Sequence, residues 1–188
     1  MACLTPEAFA VAAARALEVL PPEWTLVQSG ESFHLRRDPI HKPAMIFTAK
    51  LEQDDASSDW IDPSILTDND IVPERPQTTL EWNISVVFSE TWRCPALYLH
   101  VQDASGQPVP HTELGLTEDF SYEEHPVTGL PSLSLHPCRT NDVLDAVRKG
   151  ATPSSNPAVE LLTWMSIALS SIGCSLPPKA YLQALKEA

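Results

Sequence analysis

The chain has 188 residues, with 12 Lys and Arg against 25 Asp and Glu, a formal net charge of -13. That balance argues against nucleic acid or an anionic membrane surface as a partner, because both demand clustered cations, and it leaves a basic protein surface as the electrostatic match. With no low-complexity run, the length fits one domain over residues 1–188, large enough for a proper core. Met1 is followed by no charged segment and long apolar stretch of the leader type. The most apolar run, 158–172, is interrupted by Glu160, Thr163 and Ser166 and falls short of a membrane span. A soluble protein without stable membrane insertion is expected. Cys3, Cys94, Cys138 and Cys174 show no Cys-x-x-Cys pairing and no regular spacing, which fits reduced thiols in the cytoplasm. Cys94 and Cys174 read as small buried apolar residues.

Thr5-Pro6-Glu7 opens the first helix, with Thr5 as N-cap, Pro6 at its first position, and Phe9, Ala12, Ala13, Ala16, Leu17 and Leu20 at helical spacing; it stops at Pro21-Pro22. Trp24–Val27 and Ser32–Arg36 flank Ser29-Gly30-Glu31 as a hairpin, and Ala44–Leu51 supplies a third strand of a meander. Residues 52–78 form an acidic loop, with Asp54, Asp55, Asp59, Asp62, Asp68, Asp70 and Glu74 around a few apolar anchors. It reads either as a solvated insertion or as a docking segment for a basic surface. Leu80–Phe88 and Ala96–Val101 are the two best strands, joined through Ser89–Pro95, and belong at the sheet centre. Residues 111–130 are expected to be irregular. Leu133 and Leu135 lead into the cysteine loop, Asn156-Pro157 starts a helix through Ile172 that stops at Gly173, and a last helix covers Lys179–Lys186. The order predicts an α+β fold, an antiparallel sheet of about five strands flanked by helices.

Cysteine chemistry looks prepared at one place, Leu135-His136-Pro137-Cys138-Arg139-Thr140. Proline cannot donate to a sheet and pushes its predecessor toward extended geometry, so the strand should stop at His136 and leave the Cys138 thiol in a turn. Thr140 or Asn141 would then cap a helix carrying Asp142 in its first turn. The unpaired N–H groups of that helix start would favour thiolate against the usual thiol pKa of about 8.5. Asn141 reads as a cap before an oxyanion donor, and Trp82, Phe88 and Trp92 as packing or partner contacts.

Glu123-Glu124-His125-Pro126, Gly129, Leu135-His136-Pro137-Cys138-Arg139-Thr140-Asn141 and Trp164-Met165-Ser166 resemble the autophagy-related E2-like conjugating enzymes. Pro95-Ala96-Leu97-Tyr98-Leu99 and Leu176-Pro177 add to the resemblance, which covers roughly residues 80 to 180. It implies that Cys138 accepts a ubiquitin-like modifier, autophagy-related protein twelve, as a thioester from an E1-like activating enzyme, autophagy-related protein seven. The modifier would then pass to a lysine of the scaffold acceptor, autophagy-related protein five. The step needs no metal or small-molecule cofactor, since ATP is consumed by the activating enzyme. Ubiquitin-type E2 enzymes place an asparagine before the cysteine as oxyanion donor. Here the neighbourhood has His136, which could donate a hydrogen bond, orient the thioester, deprotonate the lysine, or only support the loop. By resemblance the hairpin at roughly 80–100 is a candidate for docking the acceptor through an exposed sheet edge.

Other readings are weaker. His125, His136 and Cys138 do not make the four-ligand pattern of a structural zinc site. No protease signature flanks Cys138. The lipid-conjugating branch, autophagy-related protein three, shares His-Pro-Cys but carries a long charged insertion and a C-terminal Phe-Leu-Lys, where this tail reads Leu182-Gln183-Ala184-Leu185-Lys186. A non-catalytic binding module stays as the third class.

Overall fold

A computed structural model describes residues 5–30, 32–43, 79–137, 140, 145 and 157–186. Helix α1 (Pro6–Leu17) is followed by strands β1 (Trp24–Ser29), β2 (Ser32–Pro43), β3 (Thr79–Ser89), β4 (Cys94–Gln102), β5 (Phe120–Glu124) and β6 (Pro131–Leu135), then helices α2 (Pro157–Ser170) and α3 (Pro178–Lys186). Thr5 Oγ1 accepts the Ala8 N–H at 3.1 Å and Pro6 sits at the helix start, as the sequence predicts. The strands form one antiparallel sheet in the order β1-β2-β3-β4-β6-β5, with β3 and β4 at its centre.

Alternation decides which side is core. Leu35, Val86 and Leu97 lie level across β2, β3 and β4, as do Ile84, Leu99 and Leu133 across β3, β4 and β6, and all are buried. Phe9, Ala12, Ala13 and Ala16 of α1 and Leu162, Trp164, Met165 and Leu169 of α2 join the same core. The small alanine face lets α1 approach closely, and each large buried side chain contributes about 1.5–3 kcal/mol by leaving water.

Two expectations change. The sheet has six strands, because Phe120–Glu124 pairs with β6 inside a stretch read as irregular. Only Phe120 of that strand is buried, and the Phe120–Tyr122 alternation is too short to mark a strand by itself. The 80–100 hairpin is not an outer edge of the sheet, since β3 is held between β2 and β4, and β4 is paired with β6 at Tyr98 and Leu99; among the described residues the outermost strands are β1 and β5. The strand proposed at Ala44–Leu51 and the acidic loop at 52–78 lie outside the described residues. No helix of the described residues is long and apolar enough to cross a membrane.

Candidate active site

β6 delivers the candidate site. Phe120 is paired with Leu135, and the His136 N–H carries the same register one residue further by donating to the Asp119 carbonyl at 2.8 Å. Pro137 has no N–H with which to continue the strand. His136 is exposed and Pro137 is buried. Cys138 and Asn141 lie outside the described residues.

Helical backbone appears earlier than expected beyond the strand. Pro137 already has helical backbone, as do Thr140 and Asp145. Proline suits the start of a helix because its φ is preset and its missing N–H would have had no helical partner. Thr140 itself has helical backbone, which a cap lacks; it is 1% exposed, and its Oγ1 has no hydrogen-bond partner. A cavity of about 170 Å³ lies beside it, lined by Asp119, Leu135, Thr140, Trp164, Ile167 and Ala168.

The tip of the β3–β4 hairpin reaches His136. Tyr98 of β4 pairs with Ser134 of β6, and continuing that antiparallel register sets His136 level with Ala96, close to the hairpin end at Cys94. Residues 90–93 make the turn. Arg93 takes a φ of 51°, a left-handed conformation that costs a non-glycine residue about 1–2 kcal/mol. Beside it, Trp92 donates its N–H to Ser89 Oγ at 3.4 Å and sets its ring centroid 5.9 Å from the His136 ring, tilted by 60°. Trp92 is still 48% exposed. Sequence reasoning gave Trp92 only packing or partner contact. Its position depends on strand register, for which no local signal exists.

His125 sits elsewhere. On the face of the sheet turned away from α1 and α2, its Nδ1 accepts the N–H groups of Val127 and Thr128 at 3.1 and 3.2 Å, so the ring proton is on Nε2 and is donated to Ser85 Oγ at 2.7 Å. Both ring nitrogens are thus committed to the protein. Burial, reinforced by nearby His34, lowers the His125 pKa to about 4. His34 is shifted down as well, by burial first and then by Arg36. Among the described residues no three His, Cys, Asp or Glu side chains converge as a metal site. Cys94 and Cys174 are both buried free thiols.

The sequence model of the family described as "Autophagocytosis associated protein, active-site domain" matches residues 11–179. A human protein named ubiquitin-like-conjugating enzyme ATG10 is 24% identical over 112 residues, covering 52% of this chain and 51% of that protein. An Arabidopsis thaliana protein of the same name is 25% identical over 124 residues, covering 57% of this chain and 55% of its own length. The chain thus spans about half the length of the curated relatives it matches. The family match runs from α1 to the start of α3 and takes in His136, Pro137 and Cys138, and by that extent the chain belongs to the Autophagocytosis associated protein active-site domain family.

Proposed function

We propose that this chain is an E2-like conjugating enzyme of autophagy, with Cys138 as the residue that carries a ubiquitin-like modifier as a thioester. The observation that carries the reading is the family match over residues 11–179, which includes the cysteine segment. The names of the human and Arabidopsis relatives support it. Within that reading the modifier is autophagy-related protein twelve, the donor is the E1-like autophagy-related protein seven, and the acceptor is a lysine of autophagy-related protein five. The thiolate attacks the thioester carbonyl of the charged activating enzyme, and the activating enzyme's thiolate leaves. In the second step the lysine amine attacks the new thioester and Cys138 leaves as thiolate.

The second step needs a hydrogen bond to the developing oxyanion and a group to take the amine's proton. His136 is exposed, lies two positions before Cys138, and has its backbone tied to Asp119 and its ring beside Trp92. That placement supports one of these two roles for His136 over loop support alone. With β3 and β4 inside the sheet, an acceptor that docks by adding a strand would use the edge of β1 or β5.

The test is a charging assay with activating enzyme, modifier and ATP, run on gels with and without reductant. Wild type should give a thiol-sensitive adduct, Cys138→Ser a reductant-resistant ester, and Cys138→Ala none. No adduct on wild type, with the activating enzyme shown to be charged, would remove the carrier reading and leave a binding module.

A further inference from the structure

Lys42 and Cys174 are 132 positions apart in sequence and in direct contact. Lys42 lies one residue from the end of β2, and Cys174 follows Gly173, whose φ of 65° turns the chain after α2. The Lys42 Nζ donates to the Ile172 carbonyl at 2.7 Å and to Cys174 Sγ at 3.2 Å, and stands 4.7 Å from the Trp82 ring centroid. Carbonyl and ring together fix the amine against the sulfur, at a helix C-terminus where a cation is favoured. Conjugation through Cys138 has no use for this arrangement.

Access is the second observation. Cys174 is 7% exposed; it does not itself line the neighbouring cavity of about 310 Å³, but its contact partner Lys42 and its chain neighbour Gly173 do, with Leu80, Trp82, Leu116 and Ile172. A small oxidant fits there. Cys94 is the internal contrast: it is 1% exposed in β4, and burial pushes its thiol up to about 11, so it should be inert.

We infer that Lys42 and Cys174 are an oxidation-sensitive pair: peroxide converts the Cys174 thiol to a sulfenic acid, and the Lys42 amine captures it as a covalent sulfur–nitrogen cross-link. In the first step the thiol is oxidised by two electrons, the peroxide O–O bond breaks, sulfur keeps one hydroxyl and water leaves. In the second the ammonium gives a proton to solvent, the nitrogen lone pair attacks sulfur, and the S–O bond breaks. The hydroxyl then departs as water with a second proton from nitrogen. Thiol, ammonium and peroxide thus yield the S–N bond, two waters and a proton. The link ties the end of β2 to the turn after α2 and constrains the unfolded chain as a long-loop disulfide does.

The experiment treats the full chain, in a Cys3→Ser, Cys138→Ser background, with a slight excess of hydrogen peroxide, followed by intact mass, peptide mapping and thermal unfolding. The expected product is lighter by two hydrogens, joins the Lys42 and Cys174 peptides, melts higher than the untreated chain and reverts with dithiothreitol. Lys42→Arg, which keeps a cation against the Ile172 carbonyl, should instead accumulate further-oxidised Cys174 without a cross-link. Cys174 remaining reduced would overturn the inference, and so would a Cys94–Cys174 disulfide or oxidation of Cys174 that is the same in wild type and Lys42→Arg.

Discussion

Trp92 and His125 each tie together residues distant in the chain, and their substitutions should separate function from stability. Trp92 is half exposed at a hairpin tip, so Trp92→Ala should change stability by no more than about 0.5 kcal/mol. Its contact with His136 would be gone. On the proposed mechanism, single-turnover discharge to lysine should slow by about tenfold, with Trp92→Phe in between, because a misplaced group costs rate even when the fold is intact. Charging and discharge slowed to the same degree would point instead to a damaged partner contact. His125→Ala is the opposite case. It leaves the buried Ser85 Oγ without its partner and strips the part-buried turn at Val127 and Thr128 of its acceptor, at a cost of roughly 2–4 kcal/mol in a urea titration. The histidine was visible in the sequence as part of Glu-Glu-His-Pro, but its chemistry was not, because Ser85 is 40 positions away.

The helices were the most legible elements, and their ends show why. Thr5 and Pro6 at the start of α1, and Gly173 after α2, follow rules that involve only a few neighbouring residues. Thr5→Ala should therefore cost about 1 kcal/mol, read as a lower urea midpoint with an unchanged slope, while Thr5→Ser should cost little. The central strands were legible for a related reason: Leu80, Trp82, Ile84, Val86 and Phe88 of β3 and Leu97, Leu99 and Val101 of β4 recur at every second position, which marks a strand from its own residues alone. β5 was missed because four of its five residues are exposed and its strand character comes from pairing with β6 alone. Beyond His136, Thr140 looks like a cap in isolation and is in fact a buried side chain on helical backbone.

At the scale of the molecule, the two buried histidines make stability depend on pH. His34 and His125 have pKa values below the ordinary 6.5 in the folded chain, so between about pH 6.5 and about pH 4 the unfolded chain binds protons that the folded chain refuses. Their contribution is complete above pH 6.5 and is lost as the pH falls, by about 2 kcal/mol or somewhat more for His125. Urea midpoints at neutral and mildly acid pH should show this loss, and His125→Gln should show less of it; equal losses would remove His125 as the cause. Period, turn chemistry and capping are local, and they were enough to specify an α+β chain, the order of its main elements, and the strand end at which the His136-Pro137-Cys138 segment emerges. The partners of those residues were not local. Register and the packing of α2 against the sheet brought Trp92 to His136, His125 to Ser85 and Lys42 to Cys174, because contacts between residues tens of positions apart depend on how whole strands and helices align and not on any short stretch of sequence.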